Sequence, residues 1–140
     1  MTKREIYRIS HNQMVKLRAR LPVDFYLHQC ATLGDRVWAV APVRKGQYVI
    51  SLDGDLNAHR VERQMQASHS NGAMIALFDS HLMMTAGGRP KTGSTEIMSG
   101  ESKEWQKWSS IDKPIAGHQA VHVGSYVYLT GGYDDSVRLI

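Results

Sequence analysis

The chain has 140 residues, of which 42% are hydrophobic and 21% are charged, and its formal net charge is +4 at pH 7. These values are ordinary for a globular protein, and the length suits one domain with a hydrophobic core. The only cysteine is Cys30, which excludes an intrachain disulfide and a cysteine-rich metal site.

No segment of the sequence looks like a membrane anchor. No run approaches the ~18 apolar residues of a membrane span, and the N-terminal MTKREIYRIS lacks the apolar core of a signal peptide. We therefore expect a cytoplasmic, intracellular protein without a membrane partner.

The positive charge is concentrated near the N-terminus. Such a surface could attract nucleic acid or an acidic protein, but its charges lack the regular interleaving with aromatic residues that base stacking needs. A solvated basic face is the simpler interpretation, and we do not expect nucleic acid as the partner. The charges belong to Lys3, Arg4, Arg8, Lys16, Arg18 and Arg20.

Short runs of alternating apolar and polar residues recur along the chain and predict β-strands. The one helix-like candidate, 57–67, lacks an apolar stripe, and its place among the other runs favours a strand over 60–67. In chain order, the predicted strands and hairpins cover 5–10, 13–21, the hairpin 28–40, 46–53, 60–67, the hairpin 73–88, 94–101, 104–111 and the hairpin 117–133.

These strands belong to an internal repeat. The double glycine Gly131-Gly132 follows Gly87-Gly88 at a spacing of 44 residues. The segment HQCATLGDRVWAV, residues 28–40, aligns with HQAVHVGSYVYLT, residues 118–130, at a separation of 90 residues. A repeat of ~45 residues with four strands is typical of a β-propeller blade.

The repeat resembles that of the Kelch family. A Kelch unit has an apolar hairpin ending in a double glycine, a third strand, a Trp near the start of the fourth strand, and a basic or His position before the next hairpin. The best copy has Gly87-Gly88, then Trp105, then His118, and closes with Gly131-Gly132. The copy at 28–67 departs from this pattern, because Ala41-Pro42 replaces its double glycine.

The resemblance implies an all-β fold, a partial β-propeller of about three four-stranded antiparallel blades in a single domain spanning 1–140. With the strands of a blade labelled A to D, a C–D pair occupies 5–21, and an incomplete blade occupies 118–140. Two full blades lie between them, at 28–67 and 72–111.

About three blades leave the propeller open, since propellers contain roughly 4 to 8. Three arrangements remain open: a truncated fragment of a longer propeller, which need not be functional; a homodimer that completes a six-bladed ring; or an arc capped by a partner. The segment 136–140, SVRLI, counts against simple pairing, because its strand would compete with EIYRIS at 5–10.

The resemblance also places the B–C and D–A loops on one face, the usual binding surface of Kelch-like propellers. We expect this rim to bind a protein partner of acidic character, because basic and aromatic groups together are common at binding hot spots. Solvated loop charges with no partner are the simpler alternative. The predicted partner-binding residues are Arg44, Lys45, Arg89, Lys91, Lys113, Tyr133, Phe25 and Tyr26.

An alternative function is a carbohydrate-binding or sugar-modifying propeller resembling the sialic-acid mutarotases. It would need a convergent acid–base set, for which the sequence offers only His118, His122 and Cys30. The two histidines could supply two zinc ligands from one strand face, but no third ligand stands out. No nucleotide-binding or hydrolase motif is present, so we expect no catalytic residue, metal or cofactor.

Overall fold

The computed structural model describes residues 4–21, 29–43, 46–53, 59–78, 80–88 and 91–134. Within these ranges the chain forms strands and no helix, which confirms the predicted all-β class. The strands are β1 (Glu5–Ser10), β2 (Gln13–Arg20), β3 (Gln29–Leu33), β4 (Arg36–Val43), β5 (Gly46–Leu52), β6 (His59–Val61), β7 (Ala73–Leu77), β8 (His81–Thr85), β9 (Ser94–Ser99), β10 (Trp105–Ser110), β11 (Ala116–Val123) and β12 (Tyr126–Tyr133).

The described residues form four sheets, within each of which consecutive strands pair in antiparallel fashion. Two sheets have four strands, in the orders β3-β4-β5-β6 and β7-β8-β9-β10, and two have two strands, β1-β2 and β11-β12. The first strands of successive sheets adjoin, because β7 lies against both β3 and β11. None of these sheets closes into a barrel over the described residues.

The main core lies between the two four-stranded sheets. Because successive side chains of a strand point to opposite faces of the sheet, one face of each sheet lines this core. Trp38 and Trp105 lie in the core and are only 3% and 4% exposed. Burying large apolar side chains on facing sheets is the main favourable term for such a layered fold. The remaining buried members are Leu33, Val40, Val49, Met65, Met74, Leu82, Met84 and Met98.

A smaller apolar cluster covers the opposite face of the β3–β6 sheet. Ala39, Ile50 and Leu52 are buried there. Ile6 and Leu21, from the β1–β2 hairpin and the residue after it, pack against them. The β3–β6 sheet is therefore enclosed on both sides over its central strands.

The predicted strand over 60–67 is wrong in its extent. Strand β6 covers only His59–Val61, and the chain then leaves the ladder. Two side chains account for this difference. The Glu96 carboxylate accepts hydrogen bonds from the backbone N–H groups of Gln66 and Ala67 at 2.7 and 3.0 Å, and Gln47 donates to the Ala67 carbonyl at 2.7 Å. Since these side chains satisfy the backbone, no neighbouring strand is required.

Candidate functional site

The end of strand β12 meets the loop before β7 and the start of β11. The Tyr133 ring packs against Gly117, where an added Cβ would lie 2.9 Å from Tyr133 Cε1. Asn71 Nδ2 donates to the Tyr133 hydroxyl at 3.3 Å, and the Gly117 N–H donates to the Asn71 carbonyl at 2.8 Å. The tyrosine is thereby held by Asn71 from the loop before β7 and by Gly117 at the start of β11.

Lys91 completes this group from the loop after β8. Its Nζ lies 4.6 Å from the centroid of the Tyr133 ring, within the range of a cation–π interaction. The same Nζ donates to the Asp134 backbone carbonyl at 3.3 Å. We call the four residues Asn71, Lys91, Gly117 and Tyr133 the loop surface.

Backbone hydrogen bonds connect the segments that carry the loop surface. The Gly87 N–H donates to the Ile115 carbonyl at 2.7 Å, and the Gly88 N–H donates to the Ser70 carbonyl at 2.8 Å. Gly87 has a φ of +75°, and an added Cβ would lie 2.5 Å from the Gly72 nitrogen. The double glycine is thus required both for its backbone conformation and for the close approach of two loops.

A fully buried ionisable pair lies beneath the same loops. His69 Nε2 is 2.7 Å from a Glu96 carboxylate oxygen, and His69 Nδ1 donates to the Ala86 carbonyl at 2.7 Å. Burial alone would raise the pKa of Glu96, but hydrogen bonds from His69 and from the Gln66 and Ala67 N–H groups outweigh it and lower that pKa. The charged carboxylate therefore fixes the segment that leads into Asn71.

The structure describes three of the eight predicted partner-binding residues. It brings Lys91 and Tyr133 into contact and places Lys113 exposed in the loop before β11. The other five lie outside the described residues: Phe25, Tyr26, Arg44, Lys45 and Arg89.

The predicted partner-binding residues did not include two members of the loop surface, Asn71 and Gly117. Both have positive φ values, +58° and +72°, and Asn and Gly are the residues that most readily adopt such a backbone. That preference was the available signal. Glu96 and His69 were not singled out from the sequence.

Of the two histidines of β11, His118 lies near this region, whereas His122 lies towards the far end of the strand. His118 is only 1% exposed, and neither of its ring nitrogens has a hydrogen-bond partner among the described residues. Burial lowers the pKa of His118. The nearby Thr85 backbone acts in the opposite direction and raises this pKa, although it makes no hydrogen bond with the ring. The His122 ring makes an edge-on contact with Phe78, at 4.7 Å between centroids.

Within the described ranges, no three His, Cys, Asp or Glu side chains are grouped to hold a metal ion.

A cavity of about 540 Å³ opens between the two four-stranded sheets. It lies at the opposite end of β8 from the loop surface, because His81 at the start of that strand lines it. Leu33 and Trp38 are the large apolar lining residues, and the charged lining residues are the basic Arg36 and Lys103 and the acidic Asp35 and Glu101. Arg36 is fixed by Ser51, since its Nε donates to Ser51 Oγ at 2.9 Å.

Comparison with protein-family models found no match, and comparison with curated protein sequences found none either. The resemblance to Kelch repeats therefore rests on the residues and spacing of the repeat alone. No helix long and apolar enough to cross a membrane occurs in the part of the chain that the structure describes.

Proposed function

We propose that the chain is a partial Kelch-like β-propeller that acts as a protein-interaction module. Two properties of the fold support the blade interpretation. The strands of each four-stranded sheet follow one another in chain order, and the first strands of successive sheets adjoin. Blades of a propeller have both properties.

The binding surface in this proposal is the loop surface together with Lys113. The observation that carries it is the contact between Lys91 and Tyr133, which presents a cation and an aromatic ring side by side. Tyr133 is 37% exposed, and its ring is already ordered by Asn71 and Gly117. A partner that contacts it would lose little conformational entropy on the side of this protein.

The partner is a protein segment with acidic side chains. Lys91 and Lys113 supply positive charge at the loops, and a carboxylate near an ammonium group gains a charge-assisted hydrogen bond. Tyrosine is among the residues enriched at hot spots, where a few side chains carry most of the binding energy.

Selection of peptides from a random display library tests this proposal. The wild-type chain should enrich peptides rich in Asp and Glu, and the Lys91→Ala and Tyr133→Ala variants should each lose most of that enrichment. Lys107→Ala is the matched control, because Lys107 is exposed on β10, away from the loop surface. Equal enrichment by wild type and both variants would exclude the loop surface as the binding site.

The cavity favours a second candidate function, binding of an acidic sugar. Arg36 and Lys103 could hold a carboxylate, although the acidic Asp35 and Glu101 line the same cavity, and Leu33 and Trp38 could contact the sugar ring. Titration with N-acetylneuraminic acid should then change tryptophan fluorescence in the wild type and not in Arg36→Gln. An unchanged signal in the wild type would eliminate this candidate.

A further inference from the structure

Four large apolar side chains are exposed together on one face of the β11–β12 hairpin. Val121, Val123, Tyr126 and Tyr128 are 50% to 68% exposed. They share a face because Val121 is opposite Tyr128 and Val123 is opposite Tyr126 in the ladder. The hairpin packs its other face, which carries the buried His118, towards the protein. Such a contiguous apolar face on a hairpin is typical of an interaction site.

A matching gap exists on the face of the β3–β6 sheet that the β1–β2 hairpin covers. Ala39 on β4 is buried there, but its ladder partner Cys30 on β3 is exposed. Thr32, opposite Val37, is exposed on the same face. The cover given by Ile6 and Leu21 therefore extends over β4 and β5 and leaves β3 open.

A second uncovered area lies on the outer strands of the β7–β10 sheet. Strand β11 lies against β7, at the first edge of that sheet, whereas Trp108 on the outermost strand β10 is 56% exposed. The β1–β2 hairpin has its own exposed apolar pair, Ile9 and Met14, which face each other across the ladder.

We propose that a second copy of this chain fills both gaps. Among the described residues, β12 pairs only with β11, and β1 pairs only with β2. In the proposed dimer the outer edge of β12 pairs with β1 of the second copy. The result is a four-stranded sheet in the order β11-β12-β1-β2, the same size as the two sheets within the chain.

The pairing covers the exposed apolar groups of the two hairpins and Trp108. The face bearing Val121 and Tyr128 covers β3 and β4 of the second copy, beside that copy's own β1–β2 hairpin. Ile9 and Met14 of the second copy come to lie beside Trp108. Because each copy supplies the hairpin that the other lacks, the contact is reciprocal and closes with two-fold symmetry. The interface is apolar, as expected of a contact between copies of one chain.

Light scattering coupled to size exclusion gives the first measurement. The 140-residue chain should elute with twice its mass of 15.7 kDa. The pair of changes Val121→Lys and Tyr128→Lys should produce monomers, and so should the pair Ile9→Lys and Met14→Lys. Val61→Lys is the control, because Val61 is 62% exposed on β6, outside the proposed interface, and this variant should remain dimeric. Circular dichroism establishes that each variant is folded.

Labelling of Cys30 gives an independent readout that needs no substitution. It is the only thiol in the chain, and the second copy would cover the face on which it lies. Reaction with dithionitrobenzoate should be slow at high protein concentration and should become several-fold faster on dilution.

Three results would overturn the proposal: a wild-type monomer at all concentrations, a Cys30 reaction rate that does not change on dilution, or dissociation caused by the β11–β12 changes alone. The last result would mean that β12 pairs with itself. None of these results bears on binding at the loop surface, so the proposed function is tested separately.

Discussion

His69 Nε2 lies 2.7 Å from a carboxylate oxygen of Glu96, and each side chain is at most 1% exposed. The other ring nitrogen, Nδ1, faces the Ala86 carbonyl, which can only accept. Nδ1 therefore donates to that carbonyl, and Nε2 faces the carboxylate. This pair joins strand β9 to the loop that leads into Asn71.

Glu96→Gln should be among the most destabilising single changes in the chain. The substitution removes the carboxylate charge beside His69 and weakens the hydrogen bonds to the N–H groups of Gln66 and Ala67. Breaking a buried pair from one side costs about 3–5 kcal/mol. Urea unfolding followed by circular dichroism measures this cost. Glu101→Gln, at an exposed turn, is the control and should change stability by less than about 0.5 kcal/mol.

The stabilising effect of Glu96 should also depend on pH. Its pKa is lower in the folded state than the ordinary value of 4.5, so the unfolded chain takes up a proton first as the pH falls. The contribution is therefore fully present above about pH 4.5 and is lost as the pH falls through the folded pKa. The difference in unfolding free energy between wild type and Glu96→Gln should shrink between pH 5 and pH 3. A constant difference over this range would contradict the assigned ionised state.

Gly117→Ala should distort the loop surface. The new Cβ would lie 2.9 Å from Tyr133 Cε1, and the backbone φ of +72° disfavours any side chain. Gly124→Ala separates the two effects, because Gly124 has a φ of +60° but no atom within 4 Å of the added Cβ. We expect about 1 kcal/mol for Gly124→Ala from the backbone alone and a larger loss for Gly117→Ala. Adding Tyr133→Ala should recover the excess, as a double-mutant cycle would show.

Equal costs for Gly117→Ala and Gly124→Ala would mean that the Tyr133 ring moves away freely. The loop surface would then not be preorganised, and the argument for a low entropic cost of binding would fail.

His118 should make the protein less stable as the solution becomes mildly acidic. Burial lowers its pKa in the folded state, so the unfolded chain binds the proton first as the pH falls below the ordinary histidine value of about 6.5. Stability should therefore decline from pH 7 towards pH 5. His118→Leu should reduce this slope, whereas Gln119→Leu, at the neighbouring exposed position of β11, should not. Thermal unfolding at several pH values compares the slopes, and equal slopes in wild type and His118→Leu would refute the assignment.

The loop surface was only partly predictable from the sequence. Lys91 and Tyr133 follow double glycines, so their place on one set of loops came from the repeat. Their contact could not be predicted, since Tyr133 also depends on Asn71, which is 62 residues away in the chain. The position of a loop residue is fixed by its tertiary neighbours and carries no local periodic signal.

The sequence by itself determined the all-β class and the positions of most strands, including β1 at 5–10 and β9 from 94, because two-residue alternation and glycine-rich turns are local properties. The tertiary structure decided where β6 ends, how His69 and Glu96 are buried together, and which loops meet at Tyr133. The physical reason is that each of these depends on a side chain satisfying a backbone or ring group far along the chain. Glu96, for example, is 27 residues from the histidine that it contacts.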